Sequence, residues 1–530
     1  MCTHITQLDS RVTQIQADLH AARVVEFVAK LAPNSVAIIV SNPERIRSND
    51  LVYGYRQSSD LLYLNGFPEA SSALVVTKFG GKCKQILFVR PKDRDLEIWT
   101  GTRVGLDGAR ERYLADEAYS VDKFGSVIGP LLHSAEQVYY KFGINDHFDE
   151  VFSDVSLPGR KPLDPELILH EMRLFKSQAE IEILQRAAQI SAQAHCAAAA
   201  RLQPGLMEYQ IKATMEGIFI ESGANGPAYE SIIASGNNAV ILHYTANDET
   251  IKDGDLVLID AACELDGYAA DITRTLPANG KFSEDQREIY QLVLDSQRAA
   301  IRAARPGSTL HNVRLAAHKV LRKGLIKLGI LPAQMSSRKS AVQAFLAAEN
   351  IEAAGKLVSL GTFFMHGVSH WLGLDVHDVG RSGFNDSHQI ELAPGAGILV
   401  EAGYCIDMSK KRVLGSGRIV KNGGKEFFEP IDKTRKLAAG MVFTVEPGLY
   451  FDKNDERVPA KYRGIGVRIE DDVVINEVGC EVLTAGIPKS VEEIEQLMAN
   501  ASALRLRATS RRSATSGGAG DPSVVLHARR

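Results

Sequence analysis

One stretch of the chain reads Leu256-Val-Leu-Ile-Asp260-Ala-Ala-Cys-Glu-Leu-Asp-Gly267-Tyr-Ala-Ala-Asp271. This pattern predicts a buried strand, a tight turn and a second strand. Asp260 and Asp271 lie directly opposite each other if the turn centres on residues 265–266, and they are diagonal neighbours if it centres on 266–267. Opposed side chains on one face of a hairpin are about 5 Å apart, where two like charges destabilise the pairing. Either aspartate alone is typical of a strand end or an exposed site, but the pair indicates a divalent cation.

Two glutamates end strand-like runs further along the chain. Glu446 follows Met441-Val-Phe-Thr-Val445, and Glu470 follows Ile465-Gly-Val-Arg-Ile469. Alternation along the second run places Arg468 on the same face as Glu470. Because glutamate is rarely buried without a partner, two glutamates at the ends of apolar strands indicate a site.

Three of the fourteen histidines fall within twelve residues, at His366, His370 and His377. A single histidine is more often structural than a ligand, but this grouping favours a site. The spacing of His366 and His370 resembles the zinc pair of a helical metalloprotease motif. Gly367 stands where that motif has its glutamate base, so we exclude it. His243, just before the predicted hairpin, is a further candidate.

Composition restricts the classes of protein that this chain can belong to. At about 150 residues per domain, its 530 residues allow two to four domains, and we take two. Hydrophobic residues at 45% and charged residues at 24% are typical of a folded globular protein, and no apolar run reaches the length of about 18 residues that a membrane helix needs. A net charge of -4 gives no indication of nucleic-acid or membrane binding. The scattered cysteines favour a reducing compartment over a disulfide framework: Cys2, Cys83, Cys196, Cys263, Cys405 and Cys480.

Turn and cap signals divide the chain. Residues 1–165 are predicted to form a small mixed α/β domain, and residues 157–165, which are rich in proline, form a linker. Ser177 and Glu180 form a capping box that begins a long helix, which Pro204 ends. A second helix is predicted from Ser283 to about residue 304. The second domain therefore spans residues 166–500.

The two ends of the chain have their own composition. Residues 501–530 are rich in Arg, Ser, Ala and Gly and are predicted to form a disordered basic tail. Residues 1–20 lack the apolar core and cleavage site of a secretory signal. We therefore expect a cytoplasmic protein.

Several motifs, taken in chain order, resemble those of the pita-bread metallopeptidases, and specifically the Xaa-Pro aminopeptidase (aminopeptidase P) family. The resemblance spans about residues 35–498 and implies an α+β fold. It implies a C-terminal pita-bread catalytic domain and a smaller N-terminal mixed α/β, creatinase-like domain. Besides the hairpin aspartates, the motifs that carry it are Arg56–Phe67, His366–Asp378, Thr444–Tyr450 and Arg463–Asp472.

The same resemblance implies two divalent metal ions held by five side chains. Asp271 and Glu470 bridge the ions, Asp260 completes one site, and His370 with Glu446 completes the other. Four carboxylates balance the charge of two divalent cations and favour hard-to-borderline metals. Manganese is the expected metal, with cobalt or zinc as alternatives.

The remaining candidates have roles in catalysis. Glu446, as a terminal ligand, is the candidate general base. His243, His366 and His377 are candidates for positioning the substrate, stabilising the tetrahedral intermediate and moving protons. Arg468 is expected to orient the ligands from outside the coordination sphere.

The chain departs from the family pattern between Asp378 and Lys436, where residues 381–436 form an insertion. Leu392–Tyr404 within it imitates Leu437–Tyr450, so that Glu401 resembles Glu446. We prefer Glu446, because a proline follows it as in the family motif and Arg463–Asp472 comes a short distance later. The inserted residues are interpreted as a surface excursion.

The resemblance implies hydrolysis of the first peptide bond of peptides with proline in second position. Prolidase, which cleaves Xaa-Pro dipeptides, is the nearest alternative, and a non-catalytic pita-bread binding protein is another. Methionine aminopeptidase normally lacks so large an N-terminal domain, and creatinase shares the fold without metals. The family also implies a homo-oligomer, either a dimer or a tetramer, with no nucleic-acid or membrane partner.

Overall fold

The computed structural model describes residues 19–380, 390–392, 397–401, 404–422, 425–430 and 435–516. The chain divides into two compact units, of which the first ends at Leu174 and the second begins at Phe175. The division falls after the predicted end of the first domain at residue 165, because the helix Glu166–Leu174 belongs to the first unit. Arg173 of that helix donates a hydrogen bond to Asp60 of the same unit at 2.8 Å.

The first unit is built around a five-stranded mixed sheet, in which the inner pairs of strands are antiparallel and each edge strand is parallel to its neighbour. Its strands, in order across the sheet, are Glu117–Ser120, Lys82–Val89, Ala73–Phe79, Ser35–Val40 and Gln137–Tyr139. A separate hairpin pairs Ile46–Ser48 with Leu51–Val52. The helices are residues 19–30, Ser59–Asn65, Arg94–Thr100, Gly105–Arg112, Phe124–Ser134, Asp146–Val155 and Glu166–Leu174, with a 3-10 turn at Val121–Lys123.

Alternate side chains of the strand Ser35–Val40 point into an apolar core. Val36, Ile38 and Val40 of Ser35–Val40 pack with Phe124 and Phe148 from two of the helices. The two phenylalanine rings meet edge to face with centroids 4.9 Å apart. The short β-branched runs therefore form the sheet that the sequence predicts.

The helices of the second unit begin where the cap signals place them. Ser177 and Glu180 form the predicted capping box in front of Gln178–Arg201, and Ser283 caps Glu284–Ala303. These two predictions are confirmed. The other helices are Glu208–Glu221, Leu310–Lys327, Arg338–Ala347, Ile351–Gly355, Leu360–Phe363 and Val491–Ser516, with 3-10 turns at Gly236–Val240, Ala333–Met335 and Ala460–Tyr462.

Short antiparallel sheets form the rest of this unit. The strands of the first sheet are, in order, Thr273–Pro277, Leu256–Asp260 and Ile232–Ser235. Those of the second are Tyr268–Ala269, Cys263–Leu265 and Gly226–Pro227, and those of the third are Val442–Val445, Asp471–Ile475 and Cys480–Val482. A further pair joins Gly448–Tyr450 to Gly466–Arg468. Antiparallel sheets beside separate helices make this an α+β unit.

The hairpin that carries the two aspartates adopts the diagonal register. Asp260 pairs with Thr273, so Asp271 is two residues from the directly opposed position. The turn centres on Asp266 and Gly267, which both have positive φ, at 50° and 83°. A two-residue turn with both residues in the left-handed region matches the twist of antiparallel strands, and an Asp-Gly pair is suited to it.

The insertion differs from the predicted surface excursion. Its described residues form a five-stranded antiparallel sheet, which we call the inserted sheet. Ile406 and Met408 are buried against Phe345 of the helix Arg338–Ala347, so this part of the chain has a core. Cys405 and Ile406 are consecutive and both buried, so both faces of their strand are covered. The strands in order are Ile390–Leu392, Lys425–Pro430, Arg412–Asn422, Tyr404–Asp407 and Gly397–Glu401.

The last helix also differs from its prediction. Val491–Ser516 continues into the basic segment, so residues 501–516 are helical rather than disordered, and residues 517–530 lie outside the described part. Alanine and arginine are strong helix formers, and they extend a helix whose first turns are buried at Ile494 and Met498. Among the described residues, no helix is both long enough and apolar enough to cross a membrane.

Candidate metal centre

A cavity of about 790 Å³ opens within the second unit. Every residue that the sequence singles out as a ligand or catalytic group lines it, although these residues are spread over more than two hundred positions. They are His243, Asp260, Asp271, His366, His370, His377, Glu446, Arg468 and Glu470.

Asp260 stands at the end of its strand, where two polar groups hold its carboxylate. The hydroxyl of Tyr229 donates to Oδ1 at 2.7 Å, and Nη2 of Arg468 donates to Oδ2 at 2.5 Å. Arg468 is buried, so this ion pair lies away from bulk solvent. The charge and hydrogen bonds fix the orientation of the carboxylate toward the cavity.

Glu470 reaches the hairpin through backbone and side-chain pairing. Its amide donates to the carbonyl of Thr273 at 3.1 Å, and the Thr273 hydroxyl donates to its Oε2 at 2.7 Å. Nε of Arg468 donates to the same threonine oxygen at 3.1 Å, in agreement with the predicted shared face of Arg468 and Glu470. Behind them, the buried Arg274 guanidinium donates to the Glu470 carbonyl and to Asp471.

His370 and Glu446 are brought together by an extended segment beside a strand. The amide of Glu446 donates to the carbonyl of Val368, and the amide of Thr444 donates to that of His370. Nε2 of His370 lies 3.7 Å from Oε1 of Glu446 and 3.3 Å from Oδ2 of Asp271. Its Nδ1 lies 3.0 Å from the Trp371 carbonyl, which orients the ring. His366 and His370 are not on a helix, in agreement with the exclusion of the helical zinc motif.

The electrostatics of this cluster favour a bound cation. Burial and nearby carboxylates raise the pKa of Asp271 to about 6 and hold the pKa of Glu470 well above its usual value. Ligand atoms of Asp271, His370 and Glu470 lie within 4.8 Å of one another. Divalent cations relieve repulsion among carboxylates and are coordinated by carboxylate and imidazole. The donor set therefore fits the metal ions that the resemblance implies.

The same carboxylates favour the protonated, charged form of His370. Burial lowers its pKa, but the hydrogen bond to Asp271 and the charges of Glu446 and Asp271 raise it to about 9. Burial raises the pKa of Glu446, but the hydrogen bond and charge of His366 outweigh it, so the pKa of Glu446 is lowered. Glu446 therefore stays ionised more readily than Asp271 and Glu470, whose pKa values are raised.

A chain of polar groups runs along one wall of the cavity. Nε2 of His366 lies 2.7 Å from the Tyr450 hydroxyl, and Nη1 of Arg468 donates to that hydroxyl at 3.1 Å. Nδ1 of His366 lies 3.4 Å from Oε2 of Glu446. His366 therefore connects the carboxylate of Glu446 to the group that anchors Asp260.

The other two histidines lie at the cavity wall, and among the described residues neither has a direct bond to a carboxylate. The His377 ring is 4.4 Å from the His370 ring, and burial followed by the positive charge of His370 lowers the pKa of His377. His243 lies exposed in an irregular segment after the turn Gly236–Val240.

The sequence reasoning missed groups that hold the ligands from behind. Tyr229 and Thr273 bond to Asp260 and Glu470 directly. His195, buried in the helix Gln178–Arg201, contacts the Ala261 carbonyl through Nε2 at 2.9 Å, next to Asp260. Only Thr273 carried a signal, because its alternation with Asp271 places both on one face of a strand.

Comparison with known proteins identifies the class. The sequence matches the model of metallopeptidase family M24 over residues 182–425 and 414–477, and that of the aminopeptidase P N-terminal domain over residues 20–139. The chain therefore belongs to metallopeptidase family M24, a family of hydrolases that use divalent metal ions, and carries an N-terminal domain of the aminopeptidase P type. The predicted family and two-domain α+β fold are confirmed.

Two bacterial relatives are named Xaa-Pro aminopeptidase. The chain is 40% identical over 484 residues to Xaa-Pro aminopeptidase of Escherichia coli, covering 89% of this chain and 95% of that protein. It is 38% identical over 476 residues to Xaa-Pro aminopeptidase of Haemophilus influenzae, covering 90% and 96%.

Solved structures give the same result. A variant of E. coli aminopeptidase P in complex with substrate superposes with a TM-score of 0.77 at 38% identity, covering 92% of this chain and 99% of that one. Aminopeptidase PepP of Pseudomonas aeruginosa superposes with a TM-score of 0.76 at 38% identity, covering 91% and 98%.

Proposed function

We propose that this chain is a dinuclear-metal aminopeptidase that hydrolyses the first peptide bond of peptides with proline in second position, releasing the first residue. The convergence of four carboxylates and one histidine in a single cavity carries the proposal. The names of its relatives support the choice of substrate. A binding protein without activity has no need of five ligands of this kind.

Asp260, Asp271, His370, Glu446 and Glu470 would hold the two ions. Ligand atoms of Asp271, His370 and Glu470 lie within 4.8 Å of one another, which supports a shared role of these residues in holding the ions. When bound, the ions supply Lewis acidity and lower the pKa of water. Carboxylate-rich donors favour manganese, and a zinc-substituted E. coli relative has been solved with product.

Glu446 is the general base in this proposal. Its lowered pKa keeps a carboxylate oxygen ready to accept a proton from water. His366, 3.4 Å from that carboxylate, would hold the ionised form in place. Arg468 would hold the carboxylate of Asp260 in a fixed orientation through the ion pair described above.

The bond to proline sets special demands on the remaining residues. A tertiary amide has no N–H for recognition, and the departing proline nitrogen must receive a proton. His243, His366 and His377 line the cavity and can position the substrate and move that proton. Tyr450 would relay hydrogen bonding between His366 and Arg468.

The setting of the enzyme is also part of the proposal. Cys83, Cys196, Cys263, Cys405 and Cys480 have free thiols, which suits a reducing compartment such as the cytoplasm. The family resemblance supports a homo-oligomer, a dimer or a tetramer.

Metal-depleted protein assayed on a tripeptide and a dipeptide tests the function. We expect Xaa-Pro-Xaa to be cleaved after manganese is restored, with release of the first residue, and cobalt or zinc to restore less activity. Cleavage of the Xaa-Pro dipeptide alone would assign prolidase activity instead. No cleavage of either peptide with any metal would contradict the proposal.

A further inference from the structure

The inserted sheet reaches the substrate cavity. Ile419, on the strand Arg412–Asn422, and Cys405, on Tyr404–Asp407, both line it. Both residues belong to the segment where the sequence departs from the family pattern. One wall of the cavity is therefore particular to this chain.

This wall has a defined shape. Leu392 and Cys405 form a small buried cluster, against which Leu414 and Ile419 pack. Gly397 leaves the room that Ile419 occupies, since a Cβ atom there would lie 2.6 Å from Cδ1 of Ile419. The side chain of Ile419 is held between strands of a sheet and presents a fixed apolar surface.

Charge indicates which part of a peptide faces this wall. Arg314 lines the cavity together with Cys405 and Ile419 of the inserted sheet. Arg435 follows the last strand of the inserted sheet and also lines the cavity. A peptide ammonium is repelled by these cations and attracted by the four carboxylates. This charge pattern favours a peptide bound with its free N-terminus at the carboxylates and the residues after proline toward the inserted sheet.

We propose that the inserted sheet is a specificity wall for the residue that follows proline, and that Ile419 contacts the side chain of that residue. Apolar third residues are favoured, because burial of an aliphatic side chain against isoleucine removes apolar surface from water. The inference rests on the proposed function and adds the chemistry of the third residue to it.

Two substitutions at one strand position test this wall. Wild-type protein is expected to cleave Ala-Pro-Leu with a kcat/KM about tenfold above that for Ala-Pro-Gly, which corresponds to the burial of a few methylene groups. Ile419→Ala is expected to lower this ratio several-fold. In Ile419→Trp, the larger side chain occupies the space for the third residue of the peptide. We expect it to bring the ratio of the two kcat/KM values to about one, because it lowers kcat/KM for Ala-Pro-Leu more than for Ala-Pro-Gly.

Val413→Trp is the matched control, because Val413 is exposed on the same strand. It adds the same side chain outside the cavity and should leave the ratio unchanged. If Ile419→Trp does not fold, as judged by its melting temperature, Ile419→Ala alone decides. Equal ratios in wild type and the Ile419 variants would overturn the specificity wall and leave the aminopeptidase function intact. Failure of wild type to cleave either tripeptide would overturn both.

Discussion

Asp271 is buried at the centre of the carboxylate cluster, and its backbone amide forms a hydrogen bond with Asp472. That amide donates to Oδ2 of Asp472 at 3.0 Å, and the Asp271 side chain faces His370. Burial and repulsion from Asp260 raise its pKa. A carboxylate is kept in such a place only if a cation compensates it when it is ionised.

We predict that Asp271→Asn abolishes turnover and lowers the number of metal ions bound, because a neutral amide cannot bridge two cations. Metal content by elemental analysis and kcat on a proline tripeptide measure this. Asp266→Asn is the control, since Asp266 is exposed in the turn of the same hairpin and asparagine tolerates its positive φ. Two metals per chain with normal activity in Asp271→Asn would show that the site is wrongly assigned.

Metal binding should release protons. The pKa of His370 is raised to about 9, so the metal-free protein carries an imidazolium at pH 7, whereas a ligand must be neutral. Asp271, with its pKa raised to about 6, adds to this below neutral pH. We expect metal affinity to increase from pH 6 to 9, with at least one proton released per chain at pH 7, because the raised pKa of Glu470 adds to the release from His370. Calorimetry in buffers of different ionisation enthalpy measures the release, and an enthalpy independent of buffer would contradict it.

At the scale of elements, the hairpin from Leu256–Asp260 to Thr273–Pro277 sets the spacing of the first two ligands. Its register depends on the turn at Asp266 and Gly267. If the turn moved back by one residue, the partner of Asp260 would shift by two residues, and Asp260 and Asp271 would be directly opposed instead of diagonal.

Gly267→Ala is predicted to reduce the free energy of unfolding by about 1–2 kcal/mol, because a Cβ is disfavoured at its φ of 83°. Metal affinity should fall with it. Gly217→Ala is the matched control, since Gly217 is exposed within the helix Glu208–Glu221 and alanine there should stabilise by about 1 kcal/mol. Urea unfolding measures both. Equal effects of the two substitutions would mean that the turn does not control the hairpin.

The two look-alike strands make a second prediction for elements. Glu446 follows Val442–Val445 and lies at the cavity, whereas Glu401 ends Gly397–Glu401 of the inserted sheet. Glu446→Gln should be inactive and Glu401→Gln nearly normal in kcat on one proline tripeptide. The opposite result would show that Glu401 is the ligand and that the chain had been misaligned with the family through its insertion.

At the scale of the whole molecule, the last helix closes the second unit. Val491, Ile494 and Met498 are buried, and Arg287 of Glu284–Ala303 donates to Glu495 at 2.8 Å. These contacts all precede residue 501.

Truncation after Asn500 is predicted to leave activity and melting temperature almost unchanged. Truncation after Lys489 should be strongly destabilising, because loss of buried Ile494 and Met498 costs about 2–5 kcal/mol each. Differential scanning calorimetry compares the two. If the variant that ends at Asn500 loses much of its stability, or if an oligomer dissociates, the residues after Asn500 dock against folded surface.

The sequence by itself predicted several of the elements and the candidate ligand set. Caps at Ser177 and Ser283, strands ending in Asp260 and Glu446, and the Asp-Gly turn are local signals, because each depends on neighbours within a few residues. Motif order then identified the family. These features are encoded at short range and can be predicted without a tertiary structure.

Tertiary structure decided what depends on contacts between distant residues. It selected the diagonal register, brought Tyr229 and Thr273 to the ligands, and placed His195 behind the hairpin. It also folded the insertion into a sheet at the cavity, where a loop had been predicted, because burial of Ile406 against Phe345 offsets the cost of ordering the chain. Such pairings join residues far apart in sequence, and no local pattern specifies which partners will meet.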